Sequence, residues 1–410
     1  MLRPRALPPG LFACAGAALA LAAGWVALSS LPAVWSLVWD PTLAFVAAIV
    51  MALVLDRVGV FAWAARHVLR FAGGHTALAF LGLLLLTAAV SMLFNNDGAA
   101  LIMTPIALEL CALYALGRRA AIAVLLAVGF MVDAASVPLP ISNLVNILAT
   151  DAIHLSFLSF ARIMLPVDAT VVATSLIAAW LLLGRRLPAD VSQTIPDPAA
   201  ALPDPALFRI SLLLLLALAV AYVASGLHPF PVSIPASLAA LVLVVLAWRR
   251  LLVSPARVLR GGPRQVVAFS IGMYVLVFAL RQAGLLASLT SLLAWAGRLP
   301  AAGGVFVAGL LTALLAAVIN NLPAIMAVLL SLGRLALPHA ATVTLTAAAV
   351  VGADIGPKMS PIGSLATLIW LHRLEGDGIR IGWRTYVGVG IVLTVPVLLV
   401  ALITLASTAH

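Results

Sequence analysis

Apolar runs long enough to span a bilayer recur from end to end, at 11–30, 41–55, 76–94, 163–183, 210–227, 232–248, 302–319 and 385–406. A helix of about 20 apolar residues crosses about 30 Å of hydrocarbon. The runs are not alternating strands of about ten, so helices are favoured over a β-barrel. With 64% hydrophobic and 9% charged residues, no soluble fold could cover the apolar surface, since soluble domains carry roughly 25% charge. The pattern predicts an all-α polytopic membrane protein.

The net charge of +10 over 410 residues does not point to nucleic acid. The arginines punctuate apolar runs and form no basic domain, so they set topology. Arg3/Arg5, Arg66/Arg70, Arg118/Arg119, Arg185/Arg186, Arg249 to Arg264 and Arg373 to Arg384 read as short cytoplasmic loops. Arg162, Arg281, Arg298 and Arg334 fall on the other side. The expectation is a multi-pass protein of a bacterial inner membrane, with a cytoplasmic N-terminus and an external C-terminus. The first apolar run resembles a signal peptide, but its length and the spans that follow favour an uncleaved first helix. Trp35, Trp39, Trp248, Trp295, Trp370 and Trp383 sit near proposed helix ends, as an aromatic belt would. Cys14 and Cys111 lie in separate apolar segments and read as packed thiols, with no disulfide framework, metal cluster or cofactor implied.

Residues 185–207, rich in Pro and Asp, read as a cytoplasmic linker between an N-terminal half (1–184) and a C-terminal half (208–410). The halves carry matching irregularities. Asn95-Asn96 opens a motif in the first and Asn320-Asn321 in the second. Asp133 precedes Pro140 by seven residues, as Asp354 precedes Pro361, and PISNLVN (140–146) parallels PIGSLAT (361–367). Such interruptions in corresponding places point to a transporter site built from repeats. The flanking arginines imply a hairpin over 76–116 entering from inside and one over 302–335 entering from outside. Discontinuous helices follow at 120–148 and 341–372. Two inverted repeats result, with nine full crossings and two re-entrant hairpins; the alternative makes both hairpins complete crossings.

Polar groups at membrane depth are costly and must face protein or a water-filled cavity. Candidate substrate-binding groups are Asn95, Asn96, Ser136, Ser142, Asn143, Asn146, Asn320, Asn321, Ser360, Ser364 and Thr367. Amides and hydroxyls both donate and accept hydrogen bonds, and Pro138, Pro140, Pro357 and Pro361 leave backbone groups free for a ligand. A bland reading stays open: a turn at Asn-Asp-Gly, and Ser or Thr satisfying kinked backbone. Asp97, Asp133 and Asp354 are candidate proton carriers, because burial and a nearby cation pull a carboxylate pKa in opposite directions. Lys358, the sole lysine, lies four residues after Asp354 and would share its helix face if the helix continued; a purely structural ion pair is the alternative. Glu109 reads as structural, facing Arg118 or a helix end.

FNNDGAALIMTPIALEL (94–110), VDAASVPLPISNLVNIL (132–148) and GADIGPKMSPIGSLATLIWLH (352–372) resemble the signature stretches of ArsB-type arsenite and antimonite permeases. The likeness covers most of the chain in motif order, central linker and final span. It implies a place in the ion transporter superfamily, whose plan has two inverted repeats, two hairpins and two broken helices. Sodium-coupled members of that superfamily usually carry Ser-Asn-Thr at the hairpin tips; Asn-Asn-Asp and Asn-Asn-Leu stand here, which favours the ArsB branch. The resemblance implies export of arsenite, and of antimonite, driven by inward proton flow through alternating access, and in some members a soluble ArsA-type ATPase as partner. Trivalent arsenic in neutral water is mainly an uncharged trihydroxide, so its hydroxyls suit Asn, Ser and Thr rather than thiols. Two rivals remain: a sodium/proton antiporter or sodium-coupled anion carrier on the same scaffold, and an intramembrane aspartyl protease using Asp133 and Asp354.

Overall fold

The computed structural model describes residues 9–187, 195–225, 230–256, 258 and 263–408. Arg3, Arg5, His228, Arg257, Arg260, His410 and residues 188–194 of the expected linker lie outside the described residues. All regular structure among the described residues is helical. Eight helices are long and apolar enough to cross a membrane, or nine if Val267–Gln282 and Ala287–Ala296, bent by 86°, form one span.

The chain opens with α1 (Pro9–Ala22), α2 (Leu31–Val58) and α3 (Val60–Ala72). A tight pair follows, α4 (Thr76–Phe94) and α5 (Asn96–Leu113), joined at Asn95 alone. α6 (Arg118–Ala134) and α7 (Leu144–Ala152) flank an unwound segment, and α8 (Phe157–Leu182) closes the first half. The second half runs through α9 (Pro205–Ala224), α10 (Ser233–Arg249), α11 (Pro263–Gln282) and α12 (Ala287–Ala296). Its tight pair is α13 (Ala301–Ile319) and α14 (Asn321–Leu332), joined at Asn320. α15 (His339–Ile355) and α16 (Leu365–Gly376) flank a second unwound segment, and α17 (Trp383–Thr408) ends the chain.

The outer faces are apolar. Leu212, Leu213, Leu216, Val220 and Val223 of α9 are exposed, as are Ile391, Val392, Val395, Leu399 and Ile403 of α17. Apolar surface on this scale requires a lipid environment. The interior holds the polar side chains: Asn95, Asn96, Asp97, Asp133, Asn143, Asn146, Asn320, Asn321, Asp354 and Lys358 are all buried.

Two expectations are corrected. Arg66 and Arg70 do not sit in a loop but on α3, an amphipathic helix that buries Phe61, Ala65, Leu69 and Ala72. That spacing puts four apolar residues on one stripe, a signal hidden between two long apolar runs. Trp370 is not a belt residue. It is only 2% exposed, and a Cβ on Gly129 would come within 2.9 Å of its ring, so the indole lies directly on α6. Trp35, Trp248, Trp295 and Trp383 are exposed.

The described part of the linker is anchored. Arg70 Nη1 lies 3.6 Å from Asp197 Oδ1, and Arg66 Nη1 donates to the Asp197 carbonyl at 3.2 Å. Gly59 turns α2 into α3 with φ 90°, and a Cβ there would be 2.0 Å from the Ala201 carbonyl oxygen. Asp204 then starts α9, its Oδ1 accepting from Ala206 N and Leu207 N at 3.0 Å each. With Pro205 as the first helical residue, this is a strong N-terminal cap.

Candidate functional site

Each hairpin reverses at one asparagine. Asn95 has φ 65°, ψ 159° and Asn320 has φ 88°, ψ 152°. That region is essentially reserved for glycine, and a side chain there costs of order 1–3 kcal/mol. Glycine would make the turn at lower cost, so the asparagine side chains carry the reason. Asn95 Oδ1 accepts from Gly98 N at 2.7 Å, and Asn320 Oδ1 accepts from Leu322 N at 3.4 Å. Each caps the helix it opens. Asn320 Nδ2 also donates to the Ile362 carbonyl at 3.1 Å, while Asn95 Nδ2 is buried without a partner.

The two breaks match. α6 stops at Ala134 and α7 starts at Leu144; α15 stops at Ile355 and α16 starts at Leu365. Nine residues intervene in each, 135–143 and 356–364. Prolines in both segments cannot continue the hydrogen-bond ladder, so side chains take over. Asn146 Nδ2 lies within reach of three carbonyls, Ser136 at 2.8 Å, Val137 at 3.3 Å and Leu139 at 2.9 Å. Ser136 Oγ donates to the Asp133 carbonyl at 2.7 Å. Ser142 Oγ donates to the Met92 carbonyl at 2.6 Å and Ser360 Oγ to the Ala317 carbonyl at 2.5 Å. Both accepting carbonyls lie three residues before a hairpin asparagine. Asn321 N adds a bond to the Gly363 carbonyl at 2.8 Å. Each broken helix is thereby tied to the hairpin of its own half.

A small cavity, about 300 Å³ including the solvent it opens to, lies where these parts meet. Its walls are Phe45 of α2, Asn96 and Asp97, Asn143 to Val145, Phe269 and Ser270 of α11, Asn321 and Leu322, and Leu365. Asn96, Leu144, Asn321 and Leu365 are the first residues of α5, α7, α14 and α16, so four helix N-termini converge on one void. Helix N-termini present free N–H groups and partial positive charge, which suits oxygen-rich ligands. Asp97 Oδ1 is buried there without a partner.

Of the residues singled out in the sequence, Asn96, Asp97, Asn143 and Asn321 line this cavity. Asn95, Ser136, Ser142, Asn146, Asn320 and Ser360 instead direct hydrogen bonds at backbone groups. Ser364 Oγ is buried with no partner. Thr367 belongs to the charge network behind the cavity.

That network corrects the expected Asp354–Lys358 pair. Residues 356–359 form a tight 3₁₀ turn, which ends the face the two would share. Lys358 Nζ instead meets Asp133 Oδ2 at 2.7 Å and donates to Thr367 Oγ1 at 2.9 Å. Asn96 Nδ2 donates to Asp133 Oδ1 at 2.8 Å, and the hydroxyls of Thr367 and Tyr386 lie 3.3 Å apart. Asn143 Nδ2 donates to Asp354 Oδ1 at 2.8 Å and to Ser136 Oγ at 3.2 Å. Glu109 lines a separate groove with Arg66 of α3.

A larger cleft, about 1250 Å³ including the solvent it opens to, runs past Pro140 and Ile147 to Asp40, Asp151, His154 and Ser225. Asp40 Oδ1 accepts from Ser233 N at 3.0 Å, capping α10. Sequence reasoning passed over Asp40, Phe45, Phe269, Ser270 and Tyr386. Phe45 and Phe269 carried a usable signal, standing 50 and 51 positions before Asn95 and Asn320. Tyr386 carried none, as a lone tyrosine at the start of an apolar span.

Residues 1–407 match the family described as arsenical pump membrane protein. An arsenical pump membrane protein of Yersinia enterocolitica is 42% identical over 409 residues, covering 98% of this chain and 94% of the relative. One from Escherichia coli K12 is 40% identical over 408 residues, with the same coverage. Among solved structures, the YdaH transporter of Alcanivorax borkumensis, described as having an unusual topology, superposes with a TM-score of 0.55. It shares 17% identity over 98% of both chains, a likeness of fold alone. The matching motifs, the two hairpins, the two broken helices and end-to-end identity at this level establish that the chain belongs to the arsenical pump membrane protein family.

Proposed function

We propose that this protein exports arsenite, and antimonite with it, from the cytoplasm by proton-coupled antiport. The observation that carries the reading is the cavity where four helix N-termini meet the side chains of Asn96, Asp97, Asn143 and Asn321. Three amides and a carboxylate can donate to and accept from the hydroxyls of an uncharged trihydroxide. No thiolate lies at the cavity: Cys14 is exposed and Cys111 is buried on α5, and neither lines it. Weak, exchangeable hydrogen bonds suit a carrier that must release its cargo.

The halves read as inverted repeats. Arg70 and Arg118 flank the first hairpin, and Arg298 and Arg334 the second. On the excess of arginine, the first enters from the cytoplasm and the second from outside. The C-terminus is then external, and the cleft at Asp40, Asp151 and His154 is an external vestibule reaching the first broken helix. Alternating access follows if the hairpin-bearing units move against the remaining helices.

Asn96→Leu and Asn321→Leu are each expected to cut arsenite transport severely while leaving membrane insertion intact. Both side chains face the cavity, and leucine supplies volume without a donor or acceptor. Everted membrane vesicles loaded through a pH gradient measure this directly. Wild-type rates in both variants would remove the hairpin tips from the site, and sodium-driven uptake of an organic anion by the wild type would replace arsenite as substrate.

A further inference from the structure

Asp133 and Asp354 hold matching places, each one residue before the end of the helix that leads into a break. Their surroundings differ. Both oxygens of Asp133 are engaged, Oδ1 by Asn96 and Oδ2 by Lys358 with Thr367 at 3.4 Å. Asp354 Oδ1 accepts from Asn143, and its Oδ2 is buried with no partner. By the 221-residue offset that relates Asp133 to Asp354, the counterpart of Lys358 is Val137, which is fully buried and apolar. One carboxylate therefore has a tethered cation, and its twin has a valine.

The elements packed against α15 bring no other cation to Asp354. They are α6, α7, α13, α14, α17 and the 3₁₀ turn that holds Lys358. Their titratable groups near mid-depth are Asp133, Tyr386 and Lys358, and Lys358 is committed to Asp133. Arg118 and Arg119 start α6 and Asp151 ends α7, at the ends away from the break, and Arg384, two residues before Tyr386 on α17, is exposed. Asp168 on α8 is a further buried carboxyl, so it too offers no positive charge. A buried carboxylate without a cation carries a penalty of several kcal/mol and escapes it by taking a proton.

We propose that Asp354 carries the transported proton, that Asp133 stays engaged in its ion pair with Lys358, and that Asn143 passes the state of Asp354 to the substrate cavity. The assignment rests on the proton-coupled reading above and divides its labour. The proton sits on Oδ2, where no protein group competes for it. When it leaves towards the cytoplasm, the carboxylate draws the Asn143 amide closer, because bonds to a charged acceptor are shorter and stronger. Asn143 Nδ2 is shared with Ser136 Oγ at 3.2 Å, and the residue also lines the cavity. Loss of the proton therefore reshapes the cavity wall, and reprotonation from outside restores it.

Two assays on purified protein in liposomes separate the parts: exchange of labelled arsenite across the membrane at equal pH, and arsenite accumulation driven by a pH gradient. Asp354→Asn is expected to exchange arsenite at a rate flat with pH and to lose accumulation. Asp354→Glu, still titratable, is expected to accumulate with a displaced pH profile. Asp133→Asn with Lys358→Met removes the ion pair as a unit and is expected to retain accumulation at a reduced rate. Accumulation by Asp354→Asn overturns the assignment, as does loss of accumulation with intact exchange in the double variant. Should Asp354→Asn not fold, an unshifted pH profile in Asp354→Glu overturns it instead. A wild type that exchanges arsenite yet ignores the pH gradient overturns the proton-coupled reading itself.

Discussion

Lys358→Met is expected to destabilise the folded protein by about 3–5 kcal/mol, the cost of stranding one member of a buried ion pair. Lys358 and Asp133 are 2% and 1% exposed, and their charged atoms are 2.7 Å apart. Methionine matches the lysine stem in length and leaves the Asp133 carboxylate with Asn96 and Thr367 only. Asp133→Asn alone strands the ammonium and is expected to cost a similar amount. The double variant leaves two neutral groups able to share the remaining hydrogen bonds, so most of the loss should be recovered. The cycle reads the coupling energy of the pair. Denaturant titration in detergent micelles, followed by tryptophan fluorescence, measures all four proteins. A double variant whose loss equals the sum of the two single losses would mean that Lys358 and Asp133 stabilise the fold independently.

Much of this architecture was legible because a membrane makes polar residues conspicuous. In an apolar chain, Asn95-Asn96, Asp133, Asn320-Asn321 and Asp354 stand out as exceptions that need a reason. The constant Asp-to-Pro spacing placed both breaks, and the helices do stop at Ala134 and Ile355. What spacing could not give is which groups meet across the two halves of the chain. Lys358 lies four residues from Asp354, yet it pairs with Asp133, 225 positions away. Only the packing of the second break against α6 brings them together. Phe45, Phe269 and Ser270 were hidden locally for the opposite reason, and only the spacing of the two phenylalanines from Asn95 and Asn320 marked them. They lie in helices whose other residues are equally apolar or small, and nothing local marks the face turned to the cavity. The division between asparagines that face the cavity and those that mend backbone was also illegible. Asn143 and Asn146 are one helical turn apart, but the first reaches Asp354 while the second lies among three carbonyls.

Gly352→Ala is expected to prevent correct packing of the second half, with a cost above about 3 kcal/mol, beyond ordinary overpacking. A Cβ on Gly352 would stand 2.2 Å from the Gly309 carbonyl oxygen and 2.9 Å from Ala313 N. Both obstacles are backbone atoms of α13, so no rotamer change relieves the clash. The helices would have to separate, and α13 is the first arm of the second hairpin. Two controls grade the effect. In Gly309→Ala the new Cβ would lie 2.4 Å from Leu402 Cδ2 and 3.3 Å from the Ala348 carbonyl oxygen, so a side chain absorbs most of the overlap. In Gly82→Ala the obstacle is Val68 Cγ1 at 2.5 Å, a methyl that can shift for about 1 kcal/mol. Fluorescence-detected size exclusion should therefore rank the folded yields Gly82→Ala, Gly309→Ala, Gly352→Ala from highest to lowest. The consequence reaches the site, because Asp354 lies two residues beyond Gly352 on the same helix. Any fraction of Gly352→Ala that does fold has α15 displaced from α13, which stretches the 2.8 Å bond between Asn143 and Asp354. Such protein should show impaired pH-driven transport even at equal expression. Folded yield and transport both at wild-type levels would mean that α13 and α15 have room the close glycine contact does not suggest.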